Sequence, residues 1–136
     1  MLNINTGLRK LHETGKQIRI GLVGAGQMGR GILAQVSQMK GMNIPVVANR
    51  SVGNARKAFQ LAGVDSKDIL VTNTVSEAET AIKNGKYVIT EDFELVTKLA
   101  PVDVVIEATG VPEIGSQTAL KAIYNGKHIV MLNVEA

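Results

Sequence analysis

The chain reads as an α/β domain on a doubly wound parallel sheet, and three observations point there. A short apolar run, Ile18-Arg19-Ile20-Gly21-Leu22-Val23, breaks into the spaced glycines Gly24, Gly26 and Gly29 and then continues with helical periodicity. Further apolar runs recur along the chain, separated by segments of helical spacing. These runs are nearly continuous in Val and Ile rather than alternating, as strands covered on both faces are.

The composition supports the same architecture. At 136 residues, with 45% hydrophobic and 20% charged side chains, the chain is long enough for one domain with a real core and shows no sign of disorder. Aromatic residues are only 3% and Trp is absent, so Ile, Val, Leu, Ala and Met must build the core and no stacking platform for bases is available. The formal charge of +3 comes from scattered rather than clustered Lys and Arg, which disfavours a nucleic-acid surface. Without Cys there is neither a disulfide framework nor a thiolate metal site. The N-terminus lacks a basic-then-apolar signal pattern, and no apolar run approaches the roughly 18 residues of a membrane span. We expect a cytoplasmic chain with no nucleic-acid or membrane partner.

Taken in order, Ile4, Leu8 and Leu11 are spaced as a short N-terminal helix that Gly15 ends. His12 has no second ligand at metal spacing and reads as a surface residue. Residues 17–23 form the first strand. In the turn that follows, Gly24 allows a tight reversal, Gly26 allows backbone to approach a pyrophosphate, and Gly29 allows helix and sheet to pack closely. The next helix presents free N–H groups and a positive dipole end, with Met28, Ile32, Val36 and Met39 expected on its sheet-facing side.

Residues 43–50 form the second strand, which ends about 25 positions after Gly24, near the place where dinucleotide folds read the adenosine ribose. A carboxylate there would accept the ribose hydroxyls and repel a ribose phosphate. Asn49, Arg50 and Ser51 instead offer an amide, a forked guanidinium and a hydroxyl, which favours NADP while leaving NAD possible. Ser51 also suits a helix cap. Ala55, Ala58, Phe59, Leu61 and Ala62 form the second helix of the alternation, and residues 64–73 read as loop around a brief apolar patch, Ile69-Leu70-Val71.

Thr74 and Glu77 have capping-box spacing before a helix running to Gly85. Residues 87–90 are a third strand, and Glu91-Asp92 opens a helix through Phe93, Val96 and Leu99. The fourth strand, 102–110, carries Ala108, Thr109 and Gly110 to the rim where open α/β sheets bind ligands. Pro112 starts a helix with Ala119, Leu120, Ala122 and Ile123 as its packing face, and residues 127–132 are a fifth strand in which His128 reads as structural. Together these elements predict a Rossmann-type doubly wound sheet of about five strands in the order 3-2-1-4-5, with an extra N-terminal helix.

With the glycine turn, the end of the second strand and Ile106-Glu107-Ala108-Thr109-Gly110-Val111-Pro112 in view, the whole chain resembles the NAD(P)-binding domain of homoserine-dehydrogenase-like oxidoreductases. Within that group it is most similar to the SAF-domain-containing, reductoisomerase-like branch. The resemblance implies cofactor contacts from Gly24, Gly26, Gln27 and Met28 at the pyrophosphate. It further implies contacts from Asn49, Arg50 and Ser51 at the adenosine ribose, and from Ala108, Thr109 and Gly110 toward the nicotinamide. Homoserine dehydrogenases follow the fifth strand with Asn-Lys, whereas this chain has Asn133-Val134-Glu135. Asn133 and Glu135 are therefore the candidates for a catalytic role; in the reductoisomerase-like branch the resemblance implies that Glu135 helps to hold a substrate or a divalent metal, and alternatively it starts the linker to a next domain.

Hydride transfer also requires a substrate and an acid or base against the nicotinamide. Those groups are expected from further domains beyond residues 1–136, leaving this domain able to bind cofactor but not to turn over. A small-molecule substrate would be met through those domains, and an exposed apolar surface would permit a homo-oligomer. The competing reading is a non-catalytic NAD(P)-sensing module. A methyltransferase is disfavoured because Asn49-Arg50 replaces the ribose-binding acid such enzymes carry.

Overall fold

A computed structural model describes residues 4–13 and 15–132. The expectations for the side chains of Ile4, Leu8, Leu11 and His12, and for Asn133 and Glu135, lie outside the described residues. A helix, α1 (Ile4–Glu13), precedes the alternating part of the fold, which opens with strand β1 (Ile18–Val23). There follow α2 (Gln27–Ser37), β2 (Met42–Ala48), α3 (Val52–Leu61), a 3₁₀ turn (Ser66–Asp68) and β3 (Ile69–Val71). The chain continues through α4 (Val75–Lys83), β4 (Tyr87–Thr90), α5 (Phe93–Lys98), β5 (Val104–Glu107), α6 (Pro112–Tyr124) and β6 (His128–Met131).

The six strands form one sheet in the order β3-β4-β2-β1-β5-β6, every pair parallel. The expected five strands in order 3-2-1-4-5 are therefore corrected to six. The five anticipated runs keep their anticipated neighbours, and the patch Ile69-Leu70-Val71, read as loop, adds an outer strand beside Tyr87–Ile89. Three residues are too few to display a period, and this edge strand forms because a partner offers it a ladder.

Helices cover both faces. Leu33 and Val36 of α2 and Ala55, Ala58 and Phe59 of α3 pack on Ile20, Leu22, Ile44, Val47 and Ile89. On the other face, α4, α5 and α6 bring Ala78, Ile82, Leu95, Val96 and Ala122 onto Val23, Val46, Val88 and Val105. Residues 22 and 23 thus point to opposite layers, as the pleat requires. Pro45 lies inside a central strand, where its missing N–H would break a ladder. The β1–β2 register shifts between Arg19 and Gly21 at this place, and β4 pairs only from Val46 onward, so neither neighbour needs that donor.

Several expected packing faces are rotated. On α6 the buried positions are Gly115, Thr118 and Ala122, while Leu120 (69% exposed) and Ile123 (62%) face outward. Leu61 is likewise exposed and Met28 is 57% exposed, so Met28 does not fill the core as expected. Apolar type alone set those expectations, whereas the face that α6 buries is made of the small residues Gly115 and Ala122 with Thr118. The capping box at Thr74 also fails to form: Glu77 accepts the Thr72 hydroxyl (3.2 Å), and Thr74 makes no side-chain cap bond.

Candidate functional site at the carboxyl ends of β2, β1 and β5

Because β1 lies between β2 and β5, three loops that are far apart in sequence meet at one rim. The central loop is the glycine turn. Gly24 has φ of 104°, and a Cβ there would lie 2.8 Å from the Ala108 carbonyl carbon and oxygen, so only glycine fits. A Cβ on Gly29 would overlap the Gly24 carbonyl, so bare backbone lets α2 seat directly on the turn. At Gly26 the situation reverses, because a Cβ would meet nothing within 4 Å. Gly26 is the N-cap of α2 in extended conformation and makes no side-chain cap bond. No acidic residue lies in the first helical turn, and Gln27 and Met28 are exposed there. The outcome is a helix N-terminus with its donors and positive dipole end directed to open space, which suits a phosphate.

The β2 side is held by Asn49. Its Oδ1 accepts the Ala25 N–H (3.0 Å) and its Nδ2 donates to the Ser51 carbonyl (2.9 Å), so one amide fastens the glycine turn to the start of α3. Ser51 caps α3 by accepting the Asn54 N–H (3.2 Å). Arg50, between them, is exposed. On the β5 side, the Ala108 N–H donates to the Val23 carbonyl (2.8 Å). The Thr109 N–H donates to Glu107 Oε1 (2.9 Å), and the Val111 N–H to Thr109 Oγ1 (3.1 Å). All ten cofactor candidates, Gly24, Gly26, Gln27, Met28, Asn49, Arg50, Ser51, Ala108, Thr109 and Gly110, therefore stand at this rim.

Two features escaped the sequence reading. Asn49 serves the turn itself, which its place at the strand end alone did not reveal. Glu107, fully buried, ends the otherwise apolar strand Val-Val-Ile-Glu, and that charge in a covered run was the available signal. Among the described residues no three His, Asp or Glu side chains cluster as a metal site. No described helix is long and apolar enough to cross a membrane.

A cavity of about 520 Å³ opens at the opposite end of the sheet, lined by Val36, Met42, Phe59, Ala62, Asp65 and Asp68 among others. It faces the carboxyl ends of α2 and α3 and two carboxylates, an electrostatic setting that repels phosphate. The carboxylates and helix carboxyl ends make this cavity unfavourable for a dinucleotide, whereas the donors at the glycine turn suit one.

A parallel, doubly wound sheet with a glycine turn and an open helix N-terminus at its central strand defines a dinucleotide-binding α/β domain. Residues 24–136 match the family model of the homoserine dehydrogenase NAD binding domain, and the chain belongs to that family. A homoserine dehydrogenase of Methylobacillus glycogenes is 27% identical over 118 residues, 87% of this chain and 25% of that protein. One from Neisseria gonorrhoeae is 30% identical over 118 residues, 87% of this chain and 23% of that protein. The chain thus spans about a quarter of the length of these curated relatives.

Among solved structures, scyllo-inositol dehydrogenase from Lactobacillus casei, with bound NAD(H) and scyllo-inositol, superposes with a TM-score of 0.62 at 19% identity. The match covers 85% of this chain and 28% of that one. Myo-inositol dehydrogenase from the same organism, in complex with NAD(H) and myo-inositol, gives 0.63 at 16% identity, with the same coverage. At these identities the likeness is one of fold.

Proposed function

We propose that this chain is the NADP-binding domain of an oxidoreductase acting on a small hydroxy or oxo compound. The observation that carries the reading is the rim itself: an uncapped helix N-terminus beside Gly26, with a guanidinium and no carboxylate at the end of β2. Gly24, Gly26, Gln27 and Met28 hold the pyrophosphate. Asn49, Arg50 and Ser51 face the adenosine ribose, where Arg50 pairs with a 2′-phosphate. Ala108, Thr109 and Gly110 border the nicotinamide half, and the bound nicotinamide supplies the hydride chemistry. Substrate and proton-transfer groups come from a further domain, so this chain alone binds without turning over.

Within the family, Asn133-Val134-Glu135 in place of Asn-Lys supports the reductoisomerase-like branch rather than homoserine oxidation. Calorimetric titration with NADPH, NADH and S-adenosylmethionine tests the reading. NADPH is expected to bind at least about tenfold tighter than NADH, the weight of one charge-assisted contact. Equal affinity for the two would remove the role given to Arg50 and Ser51. Binding of S-adenosylmethionine alone would replace the reading altogether.

A further inference from the structure

We propose that Glu107 is a positioning residue for the dinucleotide: acting through Thr109, its buried carboxylate sets the gap between the glycine turn and the β5–α6 turn, beside which the nicotinamide half lies. This rests on the dinucleotide reading above and assigns a role to a side chain that the reading does not use.

Glu107 is the last residue of β5, between Val23 of β1 and Met131 of β6 in the sheet. Its relative exposure is 0%. Oε1 accepts both donors of a single residue, the Thr109 N–H (2.9 Å) and, in a short contact, the Thr109 hydroxyl. Oε2 is buried and has no partner among the described residues. An apolar residue would occupy this place at lower desolvation cost, so packing alone does not account for a carboxylate. What the carboxylate supplies is an acceptor for Thr109.

Thr109 transmits that hold in two directions. Its Oγ1 accepts the Val111 N–H (3.1 Å), and Val111 is the N-cap of α6, so the strand end is tied to the start of the helix. Its own backbone nitrogen stands 3.0 Å from where a Cβ on Gly24 would be, and the Ala108 carbonyl stands at 2.8 Å. The two turns therefore meet over bare backbone, and displacing Thr109 opens or closes the floor of the glycine turn. Asn49 braces the same turn from the β2 side through Ala25. Asn49 is at the rim, within a ligand's reach, whereas Glu107 lies beneath it and acts only through what it holds.

The test compares wild type, Glu107→Gln, Glu107→Met and Thr109→Val, each titrated with NADPH and separately with 2′,5′-ADP, which carries only the adenosine half. Gln retains an acceptor for Thr109, so it should stay within about twofold of wild type for both probes. Met and the Thr109 variant should weaken NADPH on the order of tenfold while leaving 2′,5′-ADP within about twofold, because the adenosine end is braced by Asn49. Circular dichroism reports folding independently of either probe, the contrast of Glu107→Gln with Glu107→Met carries the test because Thr109 itself borders the nicotinamide half, and Glu107→Leu stands in should the Met variant not fold. Parallel loss of both probes in the folded variants, or no loss of either, would overturn the inference and leave the dinucleotide reading standing. Wild type that binds neither probe would overturn that reading and this inference with it.

Discussion

The two ends of the sheet use the same device, a polar side chain gripping the backbone of a neighbouring loop, to opposite effect. At the amino end Asp103 accepts the Arg19 N–H (2.9 Å), Glu79 accepts the Ala100 N–H (2.9 Å), and Lys127 Nζ donates to the Leu99 carbonyl (2.6 Å). Those bonds tie β1, α4 and β6 to the segment around Pro101 and close the loops on one another. At the carboxyl end Asn49 and Glu107 grip turns whose other side is open, at Gly26 and along the first turn of α2. The lesson is that rigidity alone does not mark a site. The end we propose for the dinucleotide is the one where held backbone still has donors facing outward, whereas a cavity of about 520 Å³ lies at the end with helix carboxyl termini and Asp65 and Asp68.

That contrast is broken most severely at the turn. Gly24→Val places a β-branched side chain at φ of 104° and into the Ala108 carbonyl, and should cost about 3 kcal/mol or more of stability by urea unfolding. Gly26→Ala, two residues on, meets open space, and should cost no more than about 1 kcal/mol of stability. The same Ala should weaken NADPH binding, because its methyl enters the volume given to the pyrophosphate. If both variants lose stability equally, the space beside Gly26 is not free for a ligand.

Charge at the rim sharpens the comparison next. Arg50→Glu should weaken NADPH on the order of tenfold and narrow or invert the preference over NADH, as a carboxylate repels the 2′-phosphate. Asp68→Asn, in the cavity at the other end, should change NADPH affinity by less than about twofold, since that charge lies a full strand length from the turn. An equal response at both ends would erase the distinction.

Lys127 gives the smallest effect. Burial lowers the pKa of its ammonium group, while Asp103 and Glu79 pull it back up. Its folded pKa therefore lies below the ordinary 10.5, so the unfolded chain holds the proton more tightly. Stability contributed by this group rises as pH climbs through the folded pKa toward 10.5. Wild type should gain on Lys127→Gln over that window in thermal melts, and a gap that stays constant or shrinks would show the ammonium to be unburdened by burial.

Much of this was legible in the chain. The glycine spacing, the Pro112 helix start and the continuous strands gave the sheet and brought ten rim residues to one place, because these signals are local and strong. β3 was not legible, since three residues carry no period and the strand exists only through Tyr87–Ile89. The outward turn of Leu120 and Ile123 was equally hidden: the face that α6 buries carries Gly115, Thr118 and Ala122, which apolar spacing does not single out. Glu107 and Asn49 could be seen as residues, but their grips on Thr109 and Ala25 join loops that meet only once β2, β1 and β5 are neighbours.

The most direct measurement is a backbone amide NMR titration of the chain with NADPH. Shifts should concentrate at Gly24–Met28, Asn49–Ser51 and Ala108–Gly110, with Asn43, Phe59, Asp65 and Asp68 at the opposite end unmoved. Saturable shifts in the latter group, with the glycine turn silent, would contradict the account.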